Sequence, residues 1–183
     1  MTRFIVYLTI AISLLLTSCK SEPSLQKYFV ENAENKNFVA VDVAPSILNL
    51  DKAKLSLSQT EALKSFEKMN VLAFKITDKN KAKFEIERAK VTAILKDEKY
   101  QQLMKFGSGK EGASVSFVGT DEKIEEFVLF GNKKEQGFAV VRVLGKDMNP
   151  THIMGLISAM QQSKIDLEQL KPLAAIFAKD SVK

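Results

Sequence analysis

The only histidine of the chain, His152, is the first residue to consider for catalysis. Imidazole is the side chain whose unperturbed pKa suits acid–base work near neutral pH. A serine nucleophile would need a strand-to-helix elbow beside it, and the chain has no Gly-x-Ser-x-Gly motif. His152 also follows Asn149-Pro150, which predicts a helix start, and the positive end of a helix dipole disfavours a protonated imidazole. We therefore expect a surface or half-buried histidine without a catalytic role.

Paired carboxylates are the second source of acid–base chemistry. Three such groups occur in the chain, namely Glu85 and Glu87, Asp121-Glu122, and Glu125-Glu126. Neighbouring residues of a strand point to opposite faces, and residues two apart on a helix lie about 200° apart. The first and third groups therefore cannot flank one bond, and acids in a turn such as the second are normally solvated. An envelope enzyme that acts through carboxylates is therefore kept only as the alternative hypothesis.

Metal and phosphate sites are poorly supported by the composition. One histidine and one cysteine argue against a structural zinc site, and no calcium-binding loop motif is present. The segment Gly107-x-Gly109-Lys110-x-Gly112 could cradle an anion, but it lacks the strand–loop–helix setting of a phosphate-binding loop. A flexible hairpin turn is the simpler reading, and we predict no cofactor and no metal.

The single cysteine, Cys19, stands in a more specific pattern. A positive start containing Arg3 is followed by thirteen uncharged residues, 4–16, which is short for a membrane span and typical of a signal-peptide core. Leu16-Thr17-Ser18-Cys19 then resembles the lipobox of bacterial lipoproteins. That resemblance implies cleavage after Ser18 and acylation of Cys19, palmitate included; the alternative is an ordinary signal peptide that contains a cysteine.

This signal divides the chain into a signal peptide at 1–18, a tether at 19–24 and a domain at 25–183. Several acyl chains at one residue give firm membrane anchoring. Lys20, in place of aspartate, resembles the outer-membrane sorting signal of Gram-negative lipoproteins. We expect a lipid-anchored protein of the cell envelope, at the outer membrane, with its periplasmic or surface exposure left open.

The composition limits the remaining classes. The 183 residues are 45% hydrophobic and 27% charged, with a formal net charge of +5, which excludes a disordered chain or a disulfide scaffold. Acids are interleaved with the lysines, as in residues 81–88, and arginines are few. A basic face with stacking aromatics is therefore not indicated, and we expect no nucleic-acid partner.

Hydrophobic periodicity predicts the elements of the first half of the domain. Ser24 is expected to cap a helix over 25–35, and 38–43 to form a strand. Ser58 to Glu61 has the capping-box pattern and predicts a helix whose apolar residues run through Phe66 to Met69. A strand over 71–77 and a helix over 79–96, capped by Asp78, follow.

The second half predicts a four-stranded antiparallel meander followed by helices. Strands are expected over 100–106, 113–118, 124–130 and 138–144, joined by short polar turns. Asn149 should cap a helix that begins at Pro150, and a last short helix lies near Pro172. The fold class is α+β: one domain with a mostly antiparallel sheet and helices packed over one face.

The order of these motifs is similar to that of a known family. The lipobox, a charged helix leading into residues 100–104, the segments 124–129 and 138–145, and Asp147-Met148-Asn149-Pro150 resemble Bacteroidota lipoproteins of the domain of unknown function 4252. The resemblance implies an envelope location and a compact domain. It supplies no catalytic residue and no activity. An accessory role in envelope-stress signalling is a further alternative that it suggests.

One predicted strand points to an interaction surface. Phe127, Val128, Leu129 and Phe130 are consecutive, so both faces of this strand are apolar and each must contact a helix, a strand or a partner. We therefore expect a non-enzymatic protein that binds a protein or an amphipathic ligand through its sheet face or edge.

Overall fold

A computed structural model describes residues 23–48, 55–108, 111–153 and 155. These residues form an α+β domain built on a six-stranded, fully antiparallel sheet. The predicted signal peptide, most of the tether including Cys19, and the helix near Pro172 lie outside the described residues. The predicted α+β class is confirmed.

The elements follow one another with short connections. Three helices lie entirely within the described ranges, namely α1 (Leu25–Asn32), α2 (Leu57–Ser65) and α3 (Lys81–Ile94), with a 3₁₀ turn at Pro45–Leu48. The six strands are β1 (Phe38–Val43), β2 (Phe66–Lys75), β3 (Gln101–Ser108), β4 (Glu111–Thr120), β5 (Lys123–Lys133) and β6 (Gly137–Met148).

The strand order is β1-β2-β6-β5-β4-β3, so the predicted meander β3 to β6 is confirmed. The last strand of the meander, β6, pairs with β2 through an unbroken register from Lys68↔Leu144 to Lys75↔Gly137. The connection from β2 to β3 must therefore cross the whole sheet, and α3 makes that crossing. As a result, β1 and β3 are the two edges.

The first core lies between the sheet and the pair α1 and α3. Phe74 is its centre, fully buried, with ring centroids 5.1 Å from Phe38 and 5.5 Å from Phe138. From the helices, Leu25 and Phe84 pack against this aromatic group. We call this side of the sheet the helix-covered face.

Two side-chain contacts fix α1. Ser24 accepts a hydrogen bond from the Lys27 backbone at 3.3 Å, which confirms the predicted cap. The Tyr28 hydroxyl donates to Glu87 of α3 at 2.9 Å. Burial raises the pKa of Tyr28 far above its usual value, and the hydrogen bond to a carboxylate raises that pKa further.

The second core lies on the opposite face of the sheet. Phe127 and Val143 of the central strands pack there with Ile153, and Leu63 of α2 packs against them. Residues 150–153 are helical, and Asn149 caps them by accepting from the backbone N–H of His152 at 3.1 Å. The expectation of helices over one face therefore holds for α1 and α3, whereas α2 adds to the core on the other face.

The α2–β2 boundary differs from the sequence prediction. The capping box is made by Ser56 with Gln59 rather than by Ser58, and the helix ends at Ser65. Phe66 and Met69 belong to β2. A bulge between Phe66 and Lys68 adds one residue, so apolar residues three apart lie on the same face of the strand and imitate helical spacing.

The start of α3 also differs from the prediction. The helix begins after Asn80, whose side-chain oxygen accepts from the backbone N–H of Thr77 at 2.7 Å. Asp78 instead forms an exposed ion pair with Lys81 at 2.9 Å. The side chain of Asn80 holds the turn that leads into the helix, because its amide also donates to the Lys75 carbonyl at 3.1 Å.

Candidate interaction edge

His152 belongs to a polar network at the junction of α2 and the helix that follows β6. Its Nδ1 lies 3.0 Å from Ser65 Oγ, and its Nε2 lies 3.3 Å from the Asn149 side-chain nitrogen. A Ser–His–Asn arrangement of this kind could in principle activate a nucleophile, so the direction of its hydrogen bonds matters.

The remaining bonds of the network decide that direction. Asn149 Oδ1 already accepts from the backbone of His152, so its NH₂ group faces the ring and donates to Nε2. Nε2 is therefore an acceptor, and Nδ1 carries the hydrogen that points at Ser65 Oγ. Ser65 in turn donates to the Ala62 carbonyl at 2.9 Å. The imidazole donates a hydrogen bond to the serine instead of accepting one, so it is not placed to act as a base toward Ser65. The contact links α2 to the helix that follows β6.

The carboxylates that the sequence singled out do not converge. Asp121, Glu122 and Glu125 are exposed at the β4–β5 turn. Glu85 and Glu87 form ion pairs along α3, with Arg88 at 2.6 Å and Lys90 at 2.8 Å. Within the described ranges, no group of three His, Cys, Asp or Glu residues could hold a metal ion.

Glu126 has a partner that the sequence did not predict. It accepts two hydrogen bonds from Arg142, at 2.7 and 3.0 Å, between neighbouring strands of the helix-covered face. Both side chains are largely buried, and the Phe29 ring of α1 lies 5.5 Å from the guanidinium carbon. The pair is part of the contact between α1 and the sheet, because the Phe29 ring makes a cation–π contact with the Arg142 guanidinium.

The four consecutive apolar residues of β5 serve both cores. Phe127 is buried in the second core and Val128 is buried under the helices, so neither is accessible to a partner. Leu129 and Phe130 are partly buried at the margins of the same two cores. The two apolar faces of this strand thus contact the interior of the protein itself.

The accessible apolar surface lies on β3 instead. All residues from Gln101 to Gly107 are exposed, and the fractional exposure is 37% for Leu103, 39% for Met104 and 58% for Phe106. Among the described strands, β3 pairs only with β4. Its outer side is an apolar sheet edge with a single charged residue, Lys105, which is the type of edge that accepts an added strand.

A groove of about 360 Å³ lies beside this edge, between the second half of α3 and strands β3 and β4. Lys105 and Gln102 enter it from β3, and Ser114 and Ser116 form its floor. Arg88 of α3 and Lys96 of the turn that follows α3 also line it. Apolar residues also line the groove, namely Leu95, Phe106 and Phe130. Met104 and Phe106 pair with Val115 and Ala113, so they alternate with Lys105 toward the opposite face of the sheet.

Sequence reasoning missed this edge because β3 contains a bulge. The register shifts between Gln102 and Met104, with Leu103 as the additional residue. The apolar residues 103, 104 and 106 therefore lack the alternation that marks a strand with one buried face. The apolar residues on both sides of Lys105 were the local signal. That no described element covers them follows from the strand order, which the local sequence does not give.

The anion-cradle candidate is only partly described. Gly107 adopts a φ of +74°, and a side chain there would collide with the Glu111 carbonyl, so the position requires glycine as part of the β3–β4 hairpin. Gly109 and Lys110 lie outside the described residues. The described part supports the hairpin reading.

Comparisons with known proteins identify a family but no characterised relative. A family model described as domain of unknown function (DUF4252) matches residues 28–156. No curated protein and no solved structure shows a significant match. Within the part of the chain that the structure describes, no helix has the length and apolar content required to cross a bilayer.

Proposed function

This chain belongs to the domain of unknown function 4252 family, and on that premise we propose that it is a lipid-anchored, non-enzymatic protein of the Bacteroidota cell envelope that binds a partner protein by strand addition at β3. The observation that carries the proposal is the exposed apolar edge formed by Leu103, Met104 and Phe106. An extended segment of a partner would continue the sheet there.

Strand addition suits this edge for two reasons. Backbone hydrogen bonds supply affinity without requiring a deep pocket, and the exposed side chains of β3 supply specificity through cross-strand pairs. Monomeric proteins normally protect such edges with charges, prolines or short strands. The eight-residue edge β3 lacks most of that protection, since it has one charge, no proline and three exposed apolar side chains.

The anchor is supported by the sequence around Cys19. The charged start, the uncharged run of thirteen residues and the Leu-Thr-Ser-Cys motif agree with a lipoprotein signal, and Lys20 with an outer-membrane address. The domain begins at residue 25, six residues after Cys19, so lipidation would hold β3 close to the membrane surface. A partner would then be another component of the same envelope layer.

The polar groups that the sequence singled out make hydrogen bonds and ion pairs within the described ranges. The one histidine donates toward Ser65, and the carboxylates that the sequence singled out are solvated or ion-paired. His152 and the paired carboxylates thus contribute contacts within the fold.

The test is photo-crosslinking in living cells at two positions of equal exposure. Phe106 is 58% exposed on β3, and Ile86 is 57% exposed on α3, so a photoreactive phenylalanine at Ile86 is a matched control. We expect a discrete adduct to one protein from position 106 and none from position 86. Equal labelling at the two positions, or no adduct at position 106, would refute the proposed edge.

The anchor has its own test. Cys19→Ser should abolish the incorporation of labelled palmitate and release the protein from the membrane fraction. Lys20→Asp keeps the cysteine and should retain the label while changing the membrane to which the protein sorts. Palmitate incorporation by Cys19→Ser would show that the lipobox interpretation is wrong.

A further inference from the structure

The charged side chains that line the groove beside β3 are all basic. Of the residues that line it, three are basic, Arg88, Lys96 and Lys105, and none is acidic. Arg88 is paired with Glu85 at 2.6 Å. Lys96 and Lys105 have no acidic partner among the described residues, so two ammonium groups stand beside the open edge without a counter-charge.

We propose that the segment which adds to β3 is acidic on the side that faces α3 and apolar on the side that faces Met104 and Phe106. This inference rests on the proposed function and specifies the chemistry of its partner. It follows from the alternation of an added strand, whose successive side chains would meet the two different faces of the edge.

The acidic side is assigned by the position of Lys105. Lys105 pairs with Ser114 and lies on the same face as Gln102, which pairs with Ser116, so its ammonium is on the groove side of β3. An added residue opposite Lys105 is within cross-strand distance of it, and opposite charges at such positions attract while like charges repel. Lys96, in the turn that follows α3, also lines the groove and adds to the attraction.

The apolar side is assigned by Met104 and Phe106. Both are exposed, and by their pairing with Val115 and Ala113 they alternate with Lys105 toward the other face of β3, although Phe106 also borders the groove. On that other face, Val115 and Leu129 continue the apolar surface inward across β4 and β5. Apolar residues of an added strand would extend that surface by one strand. Burial of apolar area there would add to affinity.

A second copy of this chain is a poorer occupant. Antiparallel pairing of two β3 strands in one continuous sheet requires a two-fold axis perpendicular to the sheet, which keeps both helix-covered faces on the same side. The two Lys105 side chains would then share one side of the short paired segment, and both grooves would add their positive charge. The charge pattern therefore favours a different, acidic partner.

The experiment compares three synthetic peptides with capped ends: alternating Val-Glu, alternating Val-Lys and alternating Val-Gln. Binding to the purified full-length protein is measured by fluorescence anisotropy at low and at physiological salt. We expect the Val-Glu peptide to bind about tenfold more tightly than Val-Gln and more tightly still than Val-Lys, with the difference reduced by salt. Equal affinities, a preference for Val-Lys, or no binding of Val-Glu would overturn the inference.

Charge variants locate the effect. The double variant Lys96→Gln/Lys105→Gln should reduce the Val-Glu preference to about twofold or less. The matched control Lys64→Gln/Lys83→Gln removes the same charge from exposed positions of α2 and α3 that do not line the groove, and it should keep the preference. An equal loss in both double variants would show a general charge effect and contradict the groove.

The two proposals fail separately. A position-106 adduct in cells together with no Val-Glu preference would leave strand addition in place and reject the acidic partner. Loss of the position-106 adduct would reject the proposed function whatever the peptides do.

Discussion

The two edges of the sheet are built differently. The edge strand β1 has six residues, and none of its large apolar side chains is exposed. Its exposed Asp42 accepts a hydrogen bond from Asn70 and lies 3.2 Å from the Lys68 ammonium on the neighbouring strand. The edge strand β3 has eight residues and exposes Leu103, Met104 and Phe106. One edge is short and carries charge, as protected edges do; the other is suited to pairing.

The helix-covered face shows the same difference between its two sides. Near β1 it is filled by aromatic rings, with Phe74 stacked on Phe138 and edge-on to Phe38. Near β3 it ends in a groove with the small polar side chains of Ser114 and Ser116. Stability should therefore be concentrated on the β1 side, and substitutions on the β3 side should affect binding more than folding.

The strongest test of this difference compares two phenylalanines. Phe74→Ala should lower the free energy of unfolding by about 3–5 kcal/mol, because it opens a cavity in a fully buried aromatic group. Phe106→Ala should change it by about 0.5 kcal/mol or less, because the side chain is mostly in solvent. Urea unfolding of the two variants measures both values. A comparable loss from Phe106→Ala would show that β3 is part of the core.

The next test compares a buried ion pair with an exposed one. Glu126→Gln leaves the buried Arg142 without its counter-charge and should cost about 3 kcal/mol of stability. Glu85→Gln breaks an exposed pair with Arg88 on the groove side and should cost less than about 1 kcal/mol. Thermal or urea unfolding of the two variants measures both losses of stability. Equal losses would mean that the Arg142–Glu126 pair is more hydrated than its burial indicates.

A smaller effect is expected from the two tyrosines at alkaline pH. The folded pKa of Tyr28 is raised, so its contribution is present below the unfolded value of about 10 and is lost as the pH rises above that value. Burial also raises the pKa of Tyr100, the residue before β3. Above pH 10, stability should fall by up to ~1.4 kcal/mol per pH unit for each such group.

Phenylalanine substitutions separate the two contributions. Tyr28→Phe should flatten the alkaline decline more than Tyr100→Phe, because only Tyr28 donates to a carboxylate, Glu87. Unfolding free energies between pH 9 and 11 provide the measurement. The same slope in Tyr28→Phe as in the unchanged protein would contradict the raised pKa.

Much of this fold could be predicted from local patterns. The bounds of β1, the cap at Ser24, the cap at Asn149 and the four strands of the meander follow from periodicity and turn residues alone. Two of the errors arise at bulges. In β2 a bulge made Phe66 and Met69 imitate a helix, and in β3 a bulge at Leu103 hid the alternation of an edge strand.

The candidate site depended on long-range information that the sequence does not carry. Phe127 and Val128 are as apolar as an interface residue would be, and only the placement of β5 between β4 and β6 shows that they are buried. Conversely, nothing near Phe106 in the sequence says that β6 pairs with β2 and leaves β3 at the edge. Strand order decides which apolar residues are accessible.

Hydrogen exchange tests the central claim most directly, because strand addition protects backbone amides along the whole edge. The tagged, full-length protein is labelled with deuterium in its native membranes and, separately, after purification, and peptides covering 101–108 and 38–43 are compared. We predict that exchange in 101–108 is at least about tenfold slower in native membranes, while 38–43 is unchanged. Identical exchange of 101–108 in the two preparations would contradict the assignment of β3 as the partner-binding edge.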